Sequence, residues 1–303
     1  MINRLSDLEQ YLNEKGVHTK CVVAAAHDEN VFEAVLKARE TGIVDVVLVG
    51  KESYIREVFE QKGYDPHHVE IIDEPDDVNA AKIAVRMIYE KKAHILMNGQ
   101  ESYFGASIIN RPINDPEYGI RRGKIMSHMA LFELENYHKL IAVTDVAINI
   151  APDLKAKTGI VANAVFFMRR LGIEIPKVAV LSAVEVVNEA MRATIDAALL
   201  SKMAQRGQLK NCVIDGPLAF DNAISRKSAE HKGIVSEVSG DVDILLAPDI
   251  ETAGTLYQSF VYFANAHVAS LTLGASAPIV LTTKLDSLET RYNSILLSAS
   301  TYI

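Results

Sequence analysis

Four stretches of this 303-residue chain set polar side chains, glycine and proline where apolar runs end. They are VTDVAINIAPD (143–153), IDGPLAFDNAIS (214–225), DILLAPDIETAGTLYQ (243–258) and APIVLTTKLDS (277–287). Each apolar run reads as a strand, and in α/β sheets ligands bind beyond the carboxyl ends of strands. Two of the stretches open a helix, whose unpaired N–H groups can hold an anion. Taken on residue types alone, the four describe a cleft lined by strand ends. The formal net charge of −8 offers no nucleic-acid footprint, so an anionic ligand needs a local basic pocket. The densest basic spot is the pair Arg121 and Arg122.

Several chemistries lack their motifs. The first strand runs into AAAHDENVF rather than a G-x-G-x-x-G turn, which leaves a dinucleotide site unsupported. No P-loop, H-E-x-x-H, paired C-x-x-C, calcium loop or G-x-S-x-G elbow occurs. The acid clusters DEPDDVN and INDPEYG lack ligand periodicity and read as solvated loops and helix caps, so no metal is expected. Cys21 and Cys212 lie in β-branched apolar runs and read as buried strand thiols of a reducing compartment. His27 either faces the cleft or follows from helix capping by Asp28. Leu256, Phe260 and Phe263 form a stripe at helical spacing and are expected in the core.

The elements that must position these groups are short buried strands alternating with amphipathic helices. Apolar runs at 21–26, 44–49, 94–97, 140–145, 177–181, 211–214, 243–246, 268–273 and 279–281 read as strands. Between them lie helical stretches such as DDVNAAKIAVRMIYEKK, PDLKAKTGIVANAVFFMRRLG and VEVVNEAMRATIDAALLSKMAQRG. The alternation predicts a largely parallel sheet with helices on both faces. A chain this long, 49% hydrophobic, predicts two domains, with the crossover around residues 124–146. The expected division is 1–130 with 285–303 in one domain and 131–284 in the other. No run is long and apolar enough to span a membrane, which predicts a soluble cytoplasmic protein.

SHMALFEL, TDVAINIAPD, PKVAVLSAVE, DGPLAFDNAIS, AEHKGI and GDVDILLAPDIE, in this order, resemble the phosphate acetyl/butyryl transferase family, nearest its phosphate butyryltransferase branch. The resemblance covers nearly the whole chain and is strongest from 127 to 286. It implies a two-domain α/β/α fold like the isocitrate/isopropylmalate dehydrogenases, mostly parallel sheets, an interdomain cleft and a homodimer. It implies acyl-CoA and phosphate as substrates, CoA as a product and no cofactor. Phosphate attacks the thioester directly, which calls for a cationic clamp, a donor to the departing thiolate and a base for the reverse direction.

By the same resemblance Arg111, before the EYG turn, serves the clamp, with Arg121 or Arg122 as second cation; the alternative for Arg111 is a surface or capping arginine. Thr283 supplies a hydroxyl donor, Lys284 a charge, and Asp286 either the base or a helix cap. Asn149, Asp215, Gly216, Pro217, Asp221, Pro248 and Gly254 line the substrate site, and Lys232 meets a CoA phosphate or caps a helix end. The chain also departs from the family. Asn98-Gly99 stands for Lys-Gly, Ala253-Gly254 for Gly-Asn, Gln258 for Lys, and Thr283-Lys284 for Ser-Arg. The position of the acetyl branch's catalytic aspartate is Thr290. These changes leave room for a second reading, a CoA-binding protein with weakened chemistry. A third is a transferase that prefers an acyl-carrier thioester.

Overall fold

In the computed structural model, residues 2–67, 69–100, 107–121, 125–281, 283 and 286–303 are described. The chain divides into two compact units. The first unit comprises Ser6–Met126 and Ala269–Ile303; the second comprises Ser127–Val268 and the residues up to Leu5. The chain thus changes units at Ser127 and returns at Ala269.

The elements alternate as the apolar periodicity predicts. The first 126 residues hold α1 (Leu8–Glu14), β1 (Thr19–Ala24), α2 (Glu29–Glu40), β2 (Val44–Gly50) and α3 (Glu52–Lys62). They continue with β3 (Glu70–Asp73), α4 (Asp77–Tyr89), β4 (Ile95–Asn98) and α5 (Asn110–Ile113). Next come β5 (Ser127–Glu133), β6 (Ile141–Thr144), α6 (Leu154–Arg170), β7 (Lys177–Leu181) and α7 (Arg192–Gln205). After them run β8 (Val213–Leu218), α8 (Phe220–Ile224), α9 (Arg226–His231), β9 (Ile244–Leu246) and α10 (Ile250–Phe263). The chain closes with β10 (His267–Leu273), β11 (Ile279–Val280) and α11 (Leu288–Ala299). Among the described residues no helix is long and apolar enough to cross a membrane.

In the first unit the strand order β3-β2-β1-β4-β11 is parallel throughout. β1 and β4, buried on both faces, pair Cys21 with Ile95 and Ala24 with Asn98. β10 runs antiparallel to β11, Thr272 opposite Ile279, so the run at 268–273 departs from the parallel expectation. In the second unit β6, β9, β7 and β8 are parallel and β5 pairs antiparallel with β6. Its core joins Phe132, Val143, Leu181, Leu245 and Phe260, with Phe132 and Phe260 packed edge-to-face at 5.1 Å.

Local rules explain the boundaries. Asp28, Asp76, Asp153, Asp249 and Ser287 each accept a backbone N–H in the first turn of α2, α4, α6, α10 and α11. Gly63 ends α3 in the left-handed region, at φ 69°. Four expectations need correction. β3 and β5 were not foreseen, because EIID is short and half-exposed and SHMALFE abuts the crossover. The helix expected from residue 184 begins only at Arg192, because Thr194 holds Asn188 in a turn ahead of it. Phe263 is exposed at the end of α10 while Phe260 is buried, so the apolar stripe is core only over part of its length. Cys21 is buried, its thiol pushed up to about 12 by burial, whereas Cys212 is only half-buried.

Candidate active site

The parallel strands of each unit direct their carboxyl ends to one edge, and most of the candidate residues follow those ends. In the second unit the loop after β6 is organised by Asp145, a buried side chain. Its Oδ1 accepts the N–H groups of His128 (3.0 Å), Ala147 (3.1 Å) and Ile148 (3.1 Å). Its Oδ2 accepts the Asn149 backbone N–H (3.1 Å) and the Asn149 side-chain amide. Asn149 is thereby fixed against the strand end. Ile150, the next residue, offers its carbonyl to Ile250 N–H at 2.9 Å, which ties this loop to the start of α10 after β9. Pro248 and the capping Asp249 form that start.

Gly254 lies one turn into α10, and a Cβ placed there would meet nothing within 4 Å. A helical glycine costs about 1 kcal/mol relative to alanine. Gly254→Ala is therefore expected to raise the unfolding free energy by about 0.5–1 kcal/mol in urea denaturation. The opposite sign would show that the space is not open.

Beyond β7 and β8 a charged cluster gathers. Lys232, at the C-cap of α9, donates to Glu185 Oε1 at 2.6 Å and pairs with Asp221 Oδ2 at 3.2 Å. Asn222 donates to Glu185, and Ser228 Oγ donates to Asp221 Oδ2 at 2.5 Å. These hydrogen bonds hold both carboxyls below their ordinary range, Ser228 acting most on Asp221 and Lys232 most on Glu185. The bond to Glu185 raises the Lys232 ammonium in turn. The structure thus brings the candidates Lys232 and Asp221 together, as helix cap and ion pair, and any phosphate at Lys232 must compete with two carboxylates. Glu185 was missed, although it closes the PKVAVLSAVE block; Asp145 was missed inside TDVAINIAPD. The signal for Asp145 is an acid placed directly after an apolar strand; Glu185 stands four residues beyond β7 and leaves no such mark.

Asp215, Gly216 and Pro217 lie within β8 and line a cavity of about 570 Å³, together with Lys202, Cys212 and Ser236. Asp215 accepts the Gly216 N–H at 2.8 Å, and the Gly216–Pro217 peptide is cis. A Cβ on Gly216 would stand 2.8 Å from Val180 O, so the approach of β7 demands glycine there.

In the first unit Thr283 follows the end of β11. Asp286 Oδ2 accepts the Thr283 N–H at 2.7 Å, and Arg291 Nη2 donates to the Thr283 carbonyl at 3.0 Å. Burial raises the Asp286 carboxyl, against the Thr283 hydrogen bond and the Arg291 charge. Asp286 therefore closes the turn that presents Thr283, and the cap of α11 is Ser287, which accepts from Thr290 N–H at 3.0 Å. Lys284 and Arg122 lie outside the described residues.

Arg111 is exposed on α5, and Arg121 donates to Asn114 Oδ1, the C-cap of that helix, at 3.3 Å. Ile120 offers its carbonyl to Ser276 N–H in the turn that enters β11. The arginine-bearing segment is thus anchored where β11 starts, whereas Thr283 follows where it ends. Asn98, fully buried at the end of β4, donates to Gln100 O at 2.6 Å, and Gln258 is exposed on α10. Among the described residues no group of three or more His, Cys, Asp or Glu side chains is disposed to hold a metal ion.

The sequence profile described as Phosphate acetyl/butaryl transferase matches residues 8–95 and 77–299. The chain belongs to this family. Among its relatives, the phosphate butyryltransferase of Clostridium beijerinckii is 44% identical over 288 residues, 94% of each chain. The phosphate acetyltransferase of Thermotoga maritima is 39% identical over 285 residues, 94% of this chain and 96% of that one. A crystal structure of a branched-chain phosphotransacylase from Enterococcus faecalis superposes with a TM-score of 0.80 at 25% identity, covering 93% of this chain and 98% of that one. Set beside its phosphate acetyl/butyryl transferase relatives, this family member keeps the mostly parallel α/β architecture that its apolar runs announce.

Proposed function

We propose that the protein transfers a short acyl group, butyryl or one of similar size, between CoA and inorganic phosphate. The observation that carries this reading is the 44% identity to a phosphate butyryltransferase along 94% of both chains. Phosphate oxygen attacks the thioester carbonyl, a C–O bond forms, the C–S bond breaks, and CoA leaves as thiolate to be protonated. No cofactor or metal enters that balance. The protein acts as a cytoplasmic homodimer.

Within this reading Arg111 and Arg121 neutralise phosphate, the Thr283 hydroxyl donates toward developing charge, Lys284 adds a cation and Asp286 holds Thr283 in place. Asn149, Asp221, Lys232 and the Asp215–Gly216–Pro217 segment contact the CoA body. A second reading, CoA binding with weakened chemistry, draws on Asn98, Gln258 and Lys284, each standing where the family resemblance has a cation or an arginine fork. Thiol release from acetyl-, butyryl- and isobutyryl-CoA, with and without phosphate, separates the two. Phosphate-dependent release, greatest with a four-carbon acyl group, is expected. Silence with all three thioesters, with CoA still bound in calorimetry, would favour the second reading. A preference for an acyl-carrier-protein thioester would redirect the substrate assignment.

A further inference from the structure

The strand order β3-β2-β1-β4 contains a reversal. From β1 the chain steps outward to β2 and β3, then crosses back through α4 to place β4 on the other side of β1. The crevice beyond the carboxyl ends of β1 and β4 is therefore a topological switch point, where open α/β sheets bind their ligands. His27 stands there, three residues past the end of β1.

Three segments, α3, α4 and the residues after β4, converge on His27 and its partner Asp77. His27 Nε2 bonds Asp77 Oδ1, in the first turn of α4. Gln100, just beyond β4, donates to Asp77 Oδ2 at 2.7 Å, so both carboxylate oxygens are engaged. Tyr54 of α3 donates to the His27 carbonyl at 3.0 Å, with its ring centroid 6.0 Å from the imidazole. The His27 and Asp28 N–H groups point to Gly99 O at 3.5 and 3.3 Å, and a Cβ on Gly99 would fall 2.5 Å from Ala25 O. The side chains of His27 and Asp77 are 33% and 37% exposed, which leaves them open to a ligand in the crevice. With Nε2 donating to Asp77, Nδ1 is the proton-accepting nitrogen.

This arrangement offers a base where the two positions singled out by the resemblance do not. The position at which the resemblance places a base is Thr290, whose N–H is held by Ser287. Asp286 is engaged in closing the Thr283 turn. Two strand spacings, roughly 10 Å, separate the end of β1 from the end of β11, where Thr283 stands. The loops that follow those two ends, bearing His27 and Thr283, must close that gap around the sulfur, since a base acts within about 3 Å or through one water.

We infer that His27, oriented by Asp77, is the proton acceptor for the CoA thiol. In the direction of thioester synthesis, His27 Nδ1 takes the thiol proton as sulfur attacks the acyl phosphate carbonyl and phosphate leaves. In the other direction the imidazolium returns that proton to the departing thiolate. Asp77 is a positioning residue that fixes the ring nitrogen roles. The inference rests on the transferase reading above.

The test measures kcat and KM in both directions for the full chain and for His27→Ala, His27→Gln and Asp77→Asn, with thermal unfolding confirming that each variant folds. Wild-type turnover comes first; if it shows no phosphate-dependent thiol release, the transferase reading itself fails and takes this inference with it. With an active wild type, both His27 variants are expected to lose about 100-fold in kcat while KM changes little. Asp77→Asn should lose about 10-fold or more. Added imidazole should restore part of the His27→Ala rate, a response that a purely structural histidine cannot give. The inference is overturned, with the transferase reading intact, if His27→Gln keeps kcat within about threefold of wild type. It is equally overturned if imidazole leaves the His27→Ala rate unchanged.

Discussion

Replacing Asp145 with alanine is expected to destabilise the second unit by about 3–5 kcal/mol. The buried carboxylate accepts five donors, four of them backbone N–H groups from His128, Ala147, Ile148 and Asn149. Of these residues His128 is buried and the other three are half-buried, so water replaces only part of the loss. One buried N–H left without an acceptor costs about 1–3 kcal/mol, and the half-buried ones add smaller amounts. Asp145→Asn is the milder change. It keeps one carbonyl oxygen but turns an NH₂ toward the Asn149 donors, and about 2 kcal/mol is expected. Urea unfolding of both variants measures the effect, and a loss below about 1 kcal/mol for the alanine variant would contradict the role assigned to the carboxylate. The Asn149 loop should loosen with it, so the alanine variant should also bind CoA more weakly.

Acid should destabilise the protein through His128. This residue is buried in β5, and burial lowers its imidazole from the ordinary 6.5 to about 4, against an opposing pull from Asp145. The folded state thus refuses a proton that the unfolded chain accepts. Above about pH 6.5 both states are neutral and the group contributes no pH dependence. Between these two values the unfolded state binds more protons, so stability falls as pH falls, by about 1 kcal/mol per unit. Below about 4 both states are protonated and the loss stops. His128→Gln removes the titrating group. Denaturation at several pH values should therefore show a shallower acid slope in the variant, by about 1 kcal/mol per unit across this window. Parallel slopes would contradict the account.

How much was legible in the sequence depends on what kind of signal each feature leaves. Nine apolar runs correspond to strands because burial on both faces writes a continuous hydrophobic stretch. The strand ends ahead of Asn149 in the second unit and of Thr283 in the first were legible from the polar residues that close their apolar runs. β3 was not, since EIID is short and half-exposed, and neither was the antiparallel turn between β10 and β11, which leaves no mark in periodicity. Pairing across long separations was also invisible. Nothing local says that Glu185 meets Lys232, 47 residues on, or that Asp77 meets His27, 50 residues back. The His27–Asp77 pair depends on the strand order, which brings the ends of β1 and β4 and the start of α4 to one crevice. The family resemblance pointed to Asp286 as either base or cap. The structure gives it a third task, closing the Thr283 turn, because a carboxylate three residues on reaches back to a backbone N–H.

Product identity tests the central claim most directly. Butyryl-CoA and phosphate are incubated with the protein, and butyryl phosphate is quantified by phosphorus NMR beside free CoA. One equivalent of butyryl phosphate is expected for each CoA released, both requiring phosphate. CoA released without butyryl phosphate, or at the same rate when phosphate is omitted, would mean hydrolysis rather than acyl transfer to phosphate and would contradict the transferase reading.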